Sequence, residues 1–445
     1  MSQTPAGQPV SFAVAQLGAR MHYAMPRILY GAGMLERFYT DLVSVKGWPR
    51  ALSRLGATGS RTGSLRRMAA RVPDGLPPGA ITHWPGFALE CFWRQRRAKS
   101  QGELTATHLW AGREFCRRII RHGLGQASAA YTFNCAGFEL LRHARKRGLL
   151  CVMEQTIVPA GVEDQLLTAE RSAFPDWEPP LGVDLHRAEF VARERAEWEC
   201  ADLVLCGSDF VRSGIAESGG PVQRCAVVPY GVDAHAAAHG PKQPGRRLRV
   251  LVAGAVCLRK GAPYVLGSAR TAKALAEFRW CGGVALLSAA SSQLSQEVDL
   301  RGAVPRPQMA EHYAWADVFL LPSICEGSAT VCYEALAAGL PVITTPNAGS
   351  VVRDGIDGFI VPIRDPDAIV EKLELLARDR EMLTWMSAQA VARSREFTLG
   401  KYGERLLEAL RRCEDRARQG RAGRHPPIGR LNVEGGALAV RDSAE

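Results

Sequence analysis

The chain has 445 residues, 47% of them hydrophobic and 23% charged, which suits a globular protein of two to three domains with an ample core. No apolar run approaches the roughly 20 residues that span a bilayer, and Met1 to Pro9 lacks the basic start of a secretory leader, so a cytosolic protein is expected. Twelve cysteines without CxxC spacing indicate neither a zinc site nor a disulfide framework, and the net charge of +11 points to an anionic partner.

In chain order, Ser11 to Leu17 reads as a first strand, followed by Gly18-Ala19-Arg20-Met21-His22-Tyr23. Arg20 and His22 thus fall just past the C-terminal end of a strand, where open α/β sheets bind ligands. His22 is a candidate general base or acceptor contact, beside the ordinary reading of a surface-loop histidine. Gly31-Ala32-Gly33 has no third glycine at the right spacing and makes no dinucleotide fingerprint. Val45 to Gly123 is helical in character, broken at Pro77-Pro78-Gly79 and Pro85-Gly86. Basic runs lie at Arg61 to Arg71, Arg94 to Lys99, Arg117 to Arg121 and Arg142 to Lys146. Singly they are solvated helix faces; together they favour an anionic membrane surface or a phosphate-bearing acceptor. No nucleic-acid-binding motif accompanies them, so nucleic acid is not expected as a partner. Phe87 to Trp93, next to Arg94, Arg96, Arg97 and Lys99, has the composition of an interfacial amphipathic helix, and equally of a core helix with a basic exposed face.

Ala129 to Phe133, a helix from Glu139 to Arg147, and Leu149 to Met153 running into Glu154-Gln155-Thr156 continue a strand–helix alternation. Arg193 to Trp198 leads into the strand Ala201 to Cys206 and a helix capped by Ser208. Ala234 to Arg247 has no apolar periodicity and reads as a linker. Arg249 to Gly254 restarts the strand pattern, and Arg259-Lys260-Gly261 follows a short loop without the order of a Walker motif. Val298 to Leu300 is a strand whose exit turn, with Gly302, offers backbone to a nucleobase edge. Gln308 to Ala316 is a helix.

The most informative stretch comes next. Asp317 to Leu321 is a buried strand, Pro322 ends it, Gly327-Ser328 opens a helix, and Gly339 and Pro341 stop that helix before the strand at Val342. The unpaired N–H groups of such a helix start attract anions. Glu326 and Glu334 bracket it, and two helical turns would set them about 10–12 Å apart. Hydroxyls at one end, anion in the middle and hydroxyls at the other is the layout of a nucleoside diphosphate sugar. Asp365-Pro366-Asp367 formally fits D-x-D but sits where Asp caps and Pro opens a helix, so it is read as a cap and no metal site is assigned.

The segment Pro322-Ser323-Ile324-Cys325-Glu326-Gly327-Ser328, with Glu334-Ala335-Leu336-Ala337-Ala338-Gly339-Leu340-Pro341-Val342, resembles the donor-site signature of the family-4 retaining glycosyltransferases of GT-B fold. The resemblance runs from about Arg193 to Phe397 and is thin before Asn134. It implies that Glu326 meets the donor sugar, Glu334 the ribose, and the Gly327-Ser328-Ala329 backbone the phosphate. Lys260 matches the family's loop lysine. Ala255 stands where an arginine is common, with Arg259 as its possible substitute. Glu154-Gln155 stands where a histidine is common, leaving Glu154 as a candidate near the reacting sugar or the acceptor hydroxyl.

The resemblance implies two Rossmann-like domains facing a cleft. Residues 1–226 would form the acceptor domain, 227–247 a linker, 248–395 the donor-binding domain and 396–413 a helix crossing back, with 414–445 a disordered tail. The expected reaction is transfer of a sugar from a nucleotide-sugar substrate to a hydroxyl of a glycan or lipid-linked acceptor, with retention. Backbone N–H groups and Lys260 would stabilise the leaving diphosphate, with neither metal nor cofactor. A nucleotide-sugar epimerase, and a binding protein that kept the donor pocket but lost the chemistry, are the alternatives.

Overall fold

The computed structural model describes residues 10–47, 49, 71–233 and 246–422, the last three as backbone. Met1 to Pro9, most of the run from Arg61 to Arg71 and most of the linker from Ala234 to Arg247 lie outside the described residues.

Two parallel sheets organise the chain. The first holds β1 (Phe12–Gln16), β2 (Leu35–Thr40), β3 (Ile81–His83), β4 (Ala129–Phe133), β5 (Leu150–Gln155), β6 (Leu203–Cys206) and β7 (Cys225–Val227), in the order β3-β2-β1-β4-β5-β6-β7. The second holds β8 (Leu248–Ala253), β9 (Ala276–Cys281), β10 (Val298–Gly302), β11 (Val318–Leu321), β12 (Val342–Thr344) and β13 (Gly358–Ile360), in the order β10-β9-β8-β11-β12-β13. β11 reads Val-Phe-Leu-Leu with every residue buried, because helices cover both faces of a parallel sheet and leave no polar side. In each sheet the strand order reverses beside the first strand, between β1 and β4 and between β8 and β11. Loops leaving the C-terminal ends of those pairs diverge and open a crevice for ligand.

β3 corrects the reading of Val45 to Gly123 as helical: Ile81–His83 pairs in parallel with Phe38–Thr40 at the sheet edge. Three residues are too few to show a period. The proposed tail is corrected over 414–422, while 423–445 lie outside the described residues. The last helix runs Leu399–Ala422, beyond the expected end at 413. Its inner face (Tyr402, Leu406, Leu410, Cys413) is buried with Phe12 and Val14 of the first sheet, and Ala417 packs against the same cluster. An Arg418–Glu414 ion pair one turn apart supports the added turns. The chain leaves the first domain at Val232 and returns at Thr398, and these two residues form a parallel bridge.

A second link joins the halves. After β5 the chain runs through Ile157 and Val158 into the helix Ala160–Ala173, and Val158 and Leu167 are buried in the core of the second sheet, with Val250, Trp280 and Leu320. Glu170, fully buried, accepts from Tyr264 Oη (2.8 Å) and Arg364 Nε (2.5 Å). Farther along, Leu258 N–H donates to Glu178 Oε1 (2.7 Å) and Leu287 N–H to the Trp177 carbonyl (2.8 Å). An arm of the first domain is therefore part of the second.

Candidate functional site

The second sheet supplies two groups of charged residues. β8 is followed by Gly254, whose φ of +117° suits glycine. A Cβ there would stand 3.0 Å from Lys260 Cε, so the lysine stem lies across this residue. Lys260 Nζ and Arg259 Nη1 meet Glu326 Oε1 at 2.7 and 2.6 Å, and Arg259 also donates to the Cys325 carbonyl (3.2 Å). This triad lies at a seam with the first domain. Val158 N–H donates to the Glu326 carbonyl (3.4 Å) and Ser208 Oγ to the Gly327 carbonyl (2.5 Å). A Cβ on Gly327 would stand 1.9 Å from the Thr156 oxygen.

The helix after this loop is Thr330–Ala337 and starts later than the expected Gly327. Glu326 N–H donates to the Asn347 carbonyl (3.0 Å) and Ala329 N–H to the Ala348 carbonyl (3.1 Å), which lays the loop along the neighbouring turn instead of coiling it. Ala329 N–H is thus not free for phosphate. Glu334 stands little more than one turn into the helix, so the two-turn spacing to Glu326 does not hold. Among the described residues, the N–H groups of Thr330 and Val331 have no backbone partner, and they form the positive end of the helix.

Glu334 Oε2 accepts from Tyr313 Oη (2.9 Å) and Oε1 from Arg306 Nη2 (3.2 Å). The other terminal nitrogen of Arg306 reaches His22 Nε2, which joins the two domains through side chains. Burial, and then the Arg306 guanidinium, push the imidazole below its ordinary 6.5, so His22 is a neutral acceptor there. Gly302 sits at the end of the outermost strand β10, with open space where a Cβ would stand.

From the first domain, Glu154 lies at the end of β5, buried, and accepts from Tyr131 Oη and from Tyr230 Oη (2.7 Å). Burial pushes its pKa up from the ordinary carboxylate value. Gln155 is held between Trp198 Nε1 (2.9 Å) and Glu194 Oε1 (2.6 Å). The next residue, Thr156, turns its hydroxyl toward Arg20 Nη1 (2.9 Å) and donates to Asn134 Oδ1 (2.8 Å).

A cleft of about 710 Å³ lies between the domains, lined by Arg20, His22, Arg27 and Glu154 on one side and by Arg306, Thr330 and Glu334 on the other. Of the residues singled out from sequence, His22, Glu154 and Glu334 therefore share one cavity. Arg259, Lys260 and Glu326 form the neighbouring ion-paired group, and Gly302 stands apart from both. Sequence reasoning missed Arg306, Tyr313, Thr156 and Arg27. Tyr313 and Arg306 precede β11 without any motif, and only the folded chain brings them to Glu334. Among the described residues no three His, Cys, Asp or Glu side chains group closely enough to hold a metal ion.

Residues 247–379 match the family model described as Glycosyl transferases group 1. A protein of Salmonella typhimurium named as the colanic acid biosynthesis glycosyltransferase WcaL is 28% identical over 249 residues, 51% of this chain and 60% of its own length. The D-inositol 3-phosphate glycosyltransferase of Kineococcus radiotolerans is 29% identical over 308 residues, 56% of this chain and 69% of its own. The match thus spans only 60% of the first relative's length. Among solved structures, the sucrose-phosphate synthase of Thermosynechococcus elongatus superposes with a TM-score of 0.64 at 15% identity, over 92% of this chain and 100% of that one. Anabaena HepE in complex with UDP and glucose superposes with a TM-score of 0.55 at 13% identity, over 90% and 99%. At such identities the likeness is one of fold: two facing Rossmann-like domains, GT-B.

Proposed function

We propose that this chain, whose second domain matches the glycosyl transferases group 1 model, moves a sugar from a nucleoside diphosphate sugar to a hydroxyl acceptor in glycan or glycolipid synthesis. The observation that carries the reading is Glu334: a carboxylate in the first turns of the helix after β11, facing an interdomain cleft beside unpaired N–H groups. In this reading Glu334 releases Arg306 and takes the ribose hydroxyls, and Glu326 turns to hydroxyls of the donor sugar. Lys260, Arg259 and the helix start then neutralise the departing diphosphate. His22, neutral and in the cleft, is the candidate to meet the acceptor hydroxyl or the donor sugar. Retention and independence of metal belong to the same proposal.

The test is a thermal-shift panel of UDP, GDP, ADP, CMP and their sugars, with and without Mg²⁺, on the wild type and Glu334→Ala, followed by donor hydrolysis assays. One nucleotide is expected to raise the melting point by mass action, and Glu334→Ala to remove the effect. If no nucleotide stabilises the protein under any condition, the reading fails. Nucleotide binding with neither donor hydrolysis nor transfer would instead support the binding protein.

We further propose that the first domain rests on an anionic bilayer surface. On the helix Pro85–Arg97, Leu89, Phe92 and Trp93 are 36%, 38% and 54% exposed. At i, i+3 and i+4 they share a face, and Arg96 and Arg97 continue it. Among the described residues neither arginine has an ion-pair partner. Apolar side chains beside free cations suit the lipid headgroup region. Sedimentation with vesicles of anionic lipid, but not phosphatidylcholine alone, is expected, weakened by salt and by Trp93→Ala. Equal binding of wild type and variant would remove the role of this face.

A further inference from the structure

The cation pattern of the first domain's cleft wall is not explained by the donor. Arg20 and Arg27 both line the cavity. Arg20 reaches only a neutral hydroxyl, Thr156 Oγ1 (2.9 Å), and lies 5.7 Å from the Phe133 ring centre. Arg27 makes no hydrogen bond or ion pair among the described residues; of the stretches outside them, 1–9, 50–70 and 234–245 contain no Asp or Glu, whereas 423–445 contains Glu434, Asp442 and Glu445. Asp74, Asp233, Glu154 and Glu334 also line the cavity; none comes within ion-pair distance of these arginines, although Arg20 is near enough to Glu154 to pull its pKa down against the rise that burial imposes. By contrast, on the opposite domain Arg306 is paired with Glu334, and Arg259 and Lys260 share Glu326.

The backbone between the two arginines is strained. Met21, His22 and Tyr23 have φ of 44°, 50° and 62°, a left-handed turn of three consecutive non-glycine residues at roughly 1–2 kcal/mol each. Such strain persists only where the surroundings hold it, and it gathers at ligand sites. Here Tyr23 is buried against Phe38 with its hydroxyl donating to the Leu42 carbonyl (3.3 Å). The Gln16 amide donates to the Gly18 carbonyl (3.0 Å) and lies 3.4 Å from that of Arg20. The turn delivers Arg20 and His22 to the cleft and aims the start of the helix Ala24–Gly31, with Met25 and Arg27, into it.

We infer that Arg20 and Arg27 form a subsite for a phosphate group carried by the acceptor, next to the hydroxyl that receives the sugar. The inference rests on the transferase reading and names its acceptor class. Two guanidinium groups with no ion-paired carboxylate among the described residues match the charge and oxygen count of a phosphate. Phosphate offers the same chemistry whether it sits on a soluble sugar or polyol or on a lipid carrier.

The experiment holds the stabilising nucleoside diphosphate at saturation and titrates inorganic phosphate by calorimetry, with chloride at equal ionic strength as control. Phosphate is expected to bind the nucleotide-saturated protein. Arg20→Gln and Arg27→Gln are each expected to weaken it about 10-fold while leaving nucleotide affinity unchanged. Glycerol 3-phosphate and farnesyl phosphate in micelles are compared next. Tighter binding of the first marks a soluble acceptor, and of the second a lipid-linked one. Competition between phosphate and nucleotide, or loss of nucleotide affinity in either variant, assigns the arginines to the donor and overturns the proposal. Absence of phosphate binding overturns it too. If no nucleotide binds at all, the transferase reading fails first, and phosphate titration of the nucleotide-free variants still decides whether the anion site exists.

Discussion

Lys260 reaches its position because residue 254 has no side chain. The stem crosses Gly254, the ammonium lands on Glu326, and Arg259 shares the same oxygen, leaving this group one positive charge in excess. That excess matters when a diphosphate leaves. Lys260→Ala should lower donor turnover by about 10²–10³ with little loss of melting temperature, because Arg259 still pairs Glu326. Single-turnover donor hydrolysis beside a melting curve reads both quantities. A collapse of stability with normal turnover per folded molecule would make Lys260 structural. Glu154 has a different character. Two tyrosine hydroxyls engage its carboxylate, and the residue that meets the cleft's arginine is its near neighbour Thr156.

The element that couples the halves is the loop from Pro322 to Ala329. Its Gly327 approaches Thr156 so closely that any Cβ overlaps backbone, and Ser208, cap of the helix Asp209–Glu217, holds the Gly327 carbonyl. Gly327→Ala should therefore move the loop off the first domain, lower the melting point and abolish nucleotide stabilisation together. A variant that melts lower but keeps full nucleotide response would refute this coupling. The strand, the loop and both glutamates were legible because a continuous apolar run followed by Pro and Gly is a local signal, and so were the Ser208 and Asp365 caps, which accept from Val211 and Ala368 N–H. The start of the helix was not legible, because hydrogen bonds to Asn347 and Ala348 decide it. Arg306 was hidden for the same reason: its partners, His22 and Glu334, lie far away in sequence. The three-residue strand β3 was too short to carry a period.

At the scale of the whole molecule, three connections tie the domains: the bridge between Val232 and Thr398, the returning helix Leu399–Ala422, and the arm that carries Glu170. With a helix of the first domain inside the core of the second, the protein should unfold in one calorimetric transition. Glu170→Ala leaves Tyr264 and Arg364 without their buried partner, a loss on the order of 2–4 kcal/mol. It is expected to split the trace into two transitions as the arm detaches. A single, merely lowered transition would show that the arm does not couple the domains.

The arm also sets an order on synthesis at the ribosome. Val158 and Leu167 emerge with the first domain, but the core they belong to extends to Leu376 and beyond. At roughly 5–20 residues per second, about 200 further residues take about 10–40 s. During that interval the first domain cannot bury this helix, whose apolar face remains available to chaperones or to other nascent chains. A chain arrested before β8 would keep that face uncovered, so the first domain is the half for which translation speed and chaperone supply should govern yield.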